Sequence, residues 1–426
     1  MDYVDLNYKP SERDLIAMYY IEKAPETKDL EHASEEIAKE SSIGTWTDIA
    51  TLSSEIAKNL KPSTYYIDKK NKIVKIAYTE DLFEANNMSQ ILSAVAGNVF
   101  GMKALSALRL LDISFPKKIV NAYKGPMLGI EGVRKLTKVK DRPLLGTIVK
   151  PKVGLDEINH AKVCGEAWRG GLDVVKDDEN LTSMSFNKFE KRIDETLKVR
   201  DKIEKETGEK KIYMPNITAP LSTMKKRADY VIERGGEYLM VDVITIGFSA
   251  LQEIREYLEN KNVVIHAHRA MHAALTRAKD FGVSMLTIGK IMRLIGTDQL
   301  HTGTVLGKME SGEEEVKDIN HVITASKVKG NNLTMLDQDW GKIKSVLPVA
   351  SGGLSPLHIP ELIKILGKNM VFQFGGGCHG HPNGTEAGAK AIRQAVDAAL
   401  GGYDLKEYAK SHSELNKAIE KWSNKK

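Results

Sequence analysis

The sequence predicts an α/β protein: a closed (β/α)8 barrel occupying most of the chain, preceded by a smaller α+β domain. Three observations carry that prediction. The chain has 426 residues, 42% apolar and 28% charged. That is enough to bury a large core, and too mixed for a disordered, collagen-like or coiled-coil chain. From about Pro143, short β-branched runs ending in polar residues alternate with charged, helix-period segments, the rhythm of a parallel sheet. Eight such runs occur, the number that closes a barrel.

The elements follow in order. In the first domain, residues 1–125, Leu15–Ile21 and Ile73–Tyr78 alternate as strands. Leu30–Glu40 and Asn86–Val99 carry helical spacing. In the second, residues 126–426, the strand runs are Gly146–Lys152, Asp173–Glu179, Ile212–Thr218 and Leu239–Thr245, then Val263–Arg269, Gln299–Thr304, Val346–Ser351 and Val371–Gly375. The gap between the sixth and seventh runs is the longest, so an extra element is expected there. From Asp404 the chain is Lys/Glu-rich and reads as a solvated helical tail packed on a TIM-type barrel.

Composition also excludes. Two cysteines, Cys164 and Cys378, cannot build a disulfide framework or a four-cysteine zinc site. No run approaches the ~18 apolar residues of a membrane helix. Acids and bases at Asp2, Asp5, Lys9, Glu12, Arg13 and Asp14 break a secretory signal pattern. A cytoplasmic protein without membrane attachment is expected. Net charge is +5 with no basic run, which argues against nucleic acid as a partner.

Active sites of such barrels lie where the strands end, so the strand ends form one list of candidates. Lys150 and Lys152 flank Pro151 on one side of an extended segment; adjacent lysines lower one another's pKa and suit proton transfer, or they form a salt-bridged rim. Lys176, Asp177, Asp178 and Glu179 follow the apolar run Leu172–Val175. By period two, Lys176 and Asp178 share a face that Glu179 can join at the turn. Two carboxylates suit Mg²⁺, and a lysine becomes a ligand only if its nitrogen carries an acid group such as a carbamate. An ion-paired strand end is the alternative reading of the same four residues.

His266 and His268 share a strand face beside Arg269, as base and phosphate clamp or as satisfied core histidines. The third strand ends in Asn216, the sixth in His301, and Ser351, Gly352 and Gly353 end the seventh. Gly375, Gly376 and Gly377 follow the eighth, where bare backbone can surround a phosphate. Lys308, between glycines, reads as a flap lysine or a solvated loop residue. Together these residues imply an enolised, phosphate-bearing sugar.

The ordered strings resemble the large subunit of ribulose-1,5-bisphosphate carboxylase/oxygenase, Rubisco. They are Gly-Thr-Ile-Val-Lys-Pro-Lys (146–152), Gly-Gly-Leu-Asp-Val-Val-Lys-Asp-Asp-Glu-Asn (170–180), His-Ala-His-Arg-Ala-Met-His (266–272) and His-Thr-Gly-Thr-Val-Leu-Gly-Lys (301–308). Leu-Pro-Val-Ala-Ser-Gly-Gly (347–353) and Gln-Phe-Gly-Gly-Gly (373–377) continue the series. In the first domain, Glu-Ser-Ser-Ile-Gly-Thr-Trp-Thr (40–47) and Gly-Asn-Val-Phe-Gly-Met-Lys-Ala-Leu (97–105) match too. One departure is Pro-Asn-Ile-Thr-Ala-Pro (215–220), where many relatives carry glycine soon after Thr-Ala.

The resemblance implies a ferredoxin-like first domain and carboxylation of ribulose 1,5-bisphosphate to two 3-phosphoglycerate through a Mg²⁺-bound enediolate, with oxygenation on the side. Lys176, carbamylated by an activating CO₂, would bind Mg²⁺ with Asp178 and Glu179 and take the C3 proton. Lys150 and His268 would move protons, and Lys308 would stabilise the new carboxylate. Lys152, Ser351, Gly352, Gln373 and Phe374 would contact substrate. Arg269 and His301 would hold one phosphate; Gly353, Gly375 and Gly376, with Thr45 and Trp46, would hold the other. Glu40, Thr45, Trp46 and Asn98 would come from a neighbouring copy, making a homodimer the minimal unit and a ring of dimers possible in the family. The length resembles the archaeal form III class, which lacks small subunits and salvages ribulose bisphosphate from nucleotide breakdown. A Rubisco-like enolase or isomerase acting on a phosphorylated sugar is the alternative.

Overall fold

A computed structural model describes residues 2–306 and 312–423. The chain divides into two compact units.

The first unit comprises the chain up to Gly125 together with Met271–Gly296 and His321–Lys344. Its strands are β1 (Asp14–Lys23), β2 (Ser63–Asp68), β3 (Ile73–Thr79) and β4 (Leu105–Ser114), with helices α1 (Leu30–Glu40), α2 (Ser54–Leu60) and α3 (Met88–Val95). The sheet runs β4-β1-β3-β2, antiparallel throughout, and the two-residue strand Gly282–Val283 lies parallel beside β4. That strand order with its intervening helices is the ferredoxin-like arrangement.

α3 is shorter than its helical spacing suggests. Asn87 caps it by accepting from the Gln90 N–H, and Ala96 ends it. Beyond, Asn98–Gly101 is a separate 3₁₀ turn. β4 is a leucine-rich run whose periodicity does not separate strand from helix; pairing with β1 decides for strand.

The second unit comprises Pro126–Ala270, Thr297–Asn320 and Ser345–Lys426. Eight parallel strands form it: β5 (Leu144–Ile148), β6 (Val174–Lys176), β7 (Ile212–Met214), β8 (Tyr238–Asp242), β9 (Val264–His268), β10 (Gln299–His301), β11 (Leu347–Ser351) and β12 (Val371–Phe374). They pair in the order β7-β6-β5-β12-β11-β10-β9-β8. A bridge from Asn216 to Met240 joins the two ends, so the ring closes. Each strand lies within or against one of the eight predicted runs.

Val133, Leu144, Val174, Ile212, Met214, Tyr238, Val264, Leu347, Val349 and Val371 pack together inside. Burial on both faces explains why these strands read as continuous apolar runs. At about 25 cal/mol per Å² of apolar surface, each large member stabilises the closed ring by roughly 1.5–3 kcal/mol. Asp298 braces the opposite end of the barrel, accepting from the N–H groups of Leu128, Gly129 and Ile265 at 2.7–2.9 Å. The long sixth-to-seventh connection holds a helix, Glu313–Thr324, and a small hairpin, Lys327–Val328 with Gln338–Asp339. The chain ends in helices Leu405–Ala409 and Ser413–Trp422.

Candidate active site

Every strong candidate in the barrel sits at or just past the C-terminal end of a strand, because that is where the ladder stops and side chains turn from core to opening. β6 shows how. Val174 and Val175 are fully buried; alternation sets Lys176 and Asp178 apart from Asp177, and the turn past the strand brings Glu179 back beside Lys176.

Lys176 ends the strand with its amine buried 2.7 Å from the Asp177 carbonyl and 3.7 Å from Glu179 Oε2. Burial pushes the Lys176 amine below its ordinary pKa, against the pull of Glu179 and Asp178. Asp178 accepts from Lys150 Nζ at 2.7 Å and from Asn180. Burial raises the Asp178 and Glu179 carboxyls, yet Lys150 on one and Lys176 with His268 on the other hold both below the usual range.

Asp177 points the opposite way, into the wall. Its carboxylate takes the Tyr213 hydroxyl at 2.6 Å, the Asn216 N–H at 2.9 Å and the Arg192 guanidinium at 3.1–3.2 Å, with His160 Nε2 3.1 Å away. This buried cluster fixes the strand end from behind.

A cavity of about 660 Å³ opens above. Lys150, Lys152, Lys176, Glu179, His268 and His301 line it, as do Ser351, Gly352, Gly353, Gln373, Gly375 and Gly376. A Cβ added at Gly376 would meet nothing within 4 Å, and one at Gly375 only Lys150 Cε at 3.5 Å. The glycine backbone therefore opens onto the cavity. Arg269 is buried next to His268, outside the lining, its pKa lowered by burial to about 10 and so still charged at neutral pH. Phe374 does not meet the cavity, contrary to the expectation of substrate contact. Its ring is fully buried and its carbonyl accepts from the Thr147 hydroxyl. Lys308 lies outside the described residues.

The histidines form two sets. His268 donates Nδ1–H to Asp242 at 2.7 Å, leaving Nε2, 3.7 Å from Glu179, to face the opening. His266 donates Nδ1–H to the Gln299 carbonyl oxygen at 2.7 Å, so its Nε2 accepts from His301 Nε2–H at 2.9 Å. His301 Nδ1 then accepts the Ser351 hydroxyl proton at 2.9 Å. Burial drives His266 down to about 3 and His301 well below its ordinary value; the relay is neutral. Both His301 nitrogens are engaged, so a phosphate contact there requires one of these bonds to be exchanged.

In the first unit, Glu40 at the end of α1 accepts from Asn98 Nδ2 at 3.1 Å. Thr45 and Trp46 lie in the following loop, where Trp46 is 89% exposed.

Among the described residues, no three His, Cys, Asp or Glu side chains group as a metal site. Asp178 and Glu179 supply two carboxylates, and an acid group on Lys176 would add a third oxygen donor at that point. Such a donor set fits a hard cation. Sequence reasoning missed Asp242, although it is the last residue of β8 and strand-end reading could have reached it. It also missed His358, Gly380, Lys421 and Trp422, which line the same cavity and carry no local signal.

A barrel whose mouth gathers lysines, two acids, a carboxylate-held histidine and bare glycine backbone belongs to the enzymes that bind anionic substrates at strand ends. Family comparison narrows the class. Residues 129–422 match the ribulose bisphosphate carboxylase large chain catalytic domain, and residues 2–119 match its N-terminal domain. The chain belongs to the ribulose bisphosphate carboxylase large-chain family. It is 54% identical to the ribulose bisphosphate carboxylase of Methanocaldococcus jannaschii, over 99% of this chain and 100% of that one. Identity to the Methanosarcina mazei carboxylase is 49%, covering 100% and 99%. Among solved structures, the octameric Rubisco of Pyrococcus horikoshii is similar with a TM-score of 0.92 at 48% identity, covering 100% of this chain and 97% of that one. The dimeric archaeal Rubisco of Hyperthermus butylicus is similar at 0.93 and 42%, covering 99% and 98%.

Proposed function

We propose that the chain carboxylates ribulose 1,5-bisphosphate, enolising it, adding CO₂ and then water, and cleaving the C2–C3 bond of the hydrated product to give two 3-phosphoglycerate, with O₂ as the side substrate. The observation that carries this reading is the meeting of Lys150, Lys152, Lys176, Glu179, His268 and Ser351 with glycine backbone around one cavity. Near full-length similarity to archaeal carboxylases supports it.

Activation begins at Lys176. Burial favours its neutral amine, whose lone pair attacks the carbon of CO₂; an N–C bond forms and an amine proton leaves. The carbamate, Asp178 and Glu179 would hold Mg²⁺. Bound there, Mg²⁺ supplies Lewis acidity toward the substrate oxygens.

The acid group on Lys176 takes the C3 proton. Lys150, held at Asp178, shuttles a proton near C2. Asp242 fixes Nδ1–H of His268 and leaves Nε2 for the second transfer. The Ser351 hydroxyl donates its hydrogen bond to His301, so its oxygen is left to accept from a sugar hydroxyl. Arg269, with His301 beside it, answers one phosphate; Gly353, Gly375 and Gly376 surround the other. Lys308 meets the new carboxylate.

Glu40, Thr45, Trp46 and Asn98 act on the site of a neighbouring copy, so the working unit is a homodimer or a ring of dimers without small subunits. Octameric and dimeric archaeal structures support that assembly. The physiological role is form III salvage of ribulose bisphosphate from nucleotide breakdown in the cytoplasm. No helix among the described residues is long and apolar enough to cross a membrane.

The test is anaerobic incubation with Mg²⁺, labelled bicarbonate and ribulose 1,5-bisphosphate. Acid-stable label is expected in 3-phosphoglycerate. Its absence from folded, dimeric protein would overturn carboxylation and turn attention to enolisation of methylthio-sugar phosphates.

A further inference from the structure

The cavity continues past the glycines. Its outer wall is built by Ser355, His358, Gly380, Lys421 and Trp422, none of which has a role above. The last helix, Ser413–Trp422, thus reaches the opening instead of only covering the barrel.

His358 closes a short turn, Pro356–His358, and its Nδ1 accepts the Ser355 backbone N–H at 3.0 Å. A backbone N–H can only donate, so Nδ1 carries no hydrogen. Burial holds the ring below its ordinary pKa. The neutral ring therefore bears its hydrogen on Nε2, and among the described residues that hydrogen has no protein acceptor.

Lys421 donates to the carbonyl of Gly380, and among the described residues it has no carboxylate partner. Gly380 is tied back to the glycine segment, its N–H bonding the Gly376 carbonyl at 2.9 Å. Trp422 backs the same point: a Cβ on Gly380 would lie 3.8 Å from Trp422 Cζ2. An ammonium resting on a neutral carbonyl exchanges it readily for a dianion, because charge-assisted hydrogen bonds are roughly twice as strong.

We infer that the imidazole Nε2–H of His358 and the ammonium of Lys421 add two side-chain donors to the pocket for the substrate phosphate held by Gly353, Gly375 and Gly376, beside the Thr45 and Trp46 of a neighbouring copy. The inference rests on the carboxylase reading for the identity of the substrate, and on geometry alone for the phosphate. Backbone N–H groups surround the phosphoryl oxygens on one side. From the outer wall come one neutral donor and one cation, the cation carried by the C-terminal helix.

Four variants of the full-length protein test it. Lys421→Gln removes the charge and Lys421→Arg keeps it. His358→Asn keeps an acceptor at the Nδ1 position but loses the outer donor, whereas His358→Gln keeps a donor near Nε2. Lys421→Gln and His358→Asn should each raise KM for ribulose 1,5-bisphosphate and the inhibition constant of inorganic phosphate by about fivefold, with most of the loss in kcat/KM carried by KM. Arg and Gln, respectively, should restore most of it.

Unchanged KM and phosphate inhibition in a variant with unchanged Tm overturns the assignment, as does a loss confined to kcat. Should one variant fail to fold, the other pair decides. If the wild-type protein does not turn over ribulose bisphosphate, the carboxylase reading fails separately. Calorimetric titration with inorganic phosphate then decides: weaker binding in the variants upholds the pocket, and equal binding overturns it.

Discussion

Arg192→Met probes what lies behind the candidate site. Arg192 and Asp177 are both fully buried, 3.1 Å apart, and Tyr213, Asn216 and His160 complete the carboxylate's partners. Burial alone would raise the Asp177 carboxyl; Arg192, His160 and Tyr213 outweigh it and hold the group far below the usual range. Removing the arginine strands a buried charge, which costs about 3–5 kcal/mol. For a unit of roughly 250 residues, the entropy of unfolding is about 0.5 kcal/mol per kelvin, so Tm should fall about 6–10 °C.

The pH dependence has a definite sign. In the wild type the folded pKa of Asp177 is depressed, so its contribution is complete above the unfolded value of about 3.9 and is lost only as pH falls through the folded value. Between pH 5 and 8 the wild type should be flat on this account. In Arg192→Met the folded pKa is raised, so the deficit deepens as pH rises through it and narrows toward pH 5. Asp177→Asn combined with Arg192→Met should recover part of the loss, because no charge is then left unpaired. Differential scanning at pH 5 and pH 8 reads the wild type and both variants. A deficit of less than about 1 kcal/mol that is the same at both pH values would refute the reasoning.

Lys176→Ala should abolish CO₂-dependent activation and tight Mg²⁺ retention, measured by isotope trapping and equilibrium dialysis; full activation in the variant would remove the carbamate assignment. Asp242→Asn should lower kcat by about 10–100-fold with little change in Tm, and selective ¹⁵N labelling should show the His268 hydrogen no longer confined to Nδ1. Inactive Lys176→Ala and Asn98→Ala chains, unfolded together and refolded, should regain part of the activity. No recovery from confirmed mixed dimers would count against sites shared between copies.

The barrel was legible because its strands are buried on both faces and end abruptly in polar residues. That pattern located Lys150, Lys176, Glu179, His268 and Ser351 together, since a parallel barrel forces the ends of sequence-distant strands to one opening. Alternation also separated Asp177 from its neighbours, although not its partners: His160, Arg192 and Tyr213 come from other elements. Phe374 fell outside the site for the same reason. Gln373 lines the cavity, so the next residue of the strand points into the wall. His358 and Lys421 were illegible because nothing local marks a turn histidine or a tail lysine; only the packing of the last helix against Gly380 brings them to the cavity.

The two faces of β6 explain how one short strand serves stability and chemistry at once. Lys176 and Asp178 are incompletely paired: an amine that burial keeps low, and a carboxylate answered by the half-buried Lys150. Such an arrangement carries an electrostatic cost and would drift if the backbone could relax. Asp177, one residue away and pointing oppositely, is bound by an arginine, a tyrosine and a backbone N–H. Asp177 is the first residue past the strand, so holding it restrains the backbone that carries both neighbours. The neutral His266–His301–Ser351 relay does the same across the opening without adding charge near Lys176. A protonated His301 there would compete with any cation for Glu179 and disfavour the Lys176 ammonium further. Keeping the relay neutral leaves Lys176, Asp178 and Glu179 as the place where charge can change.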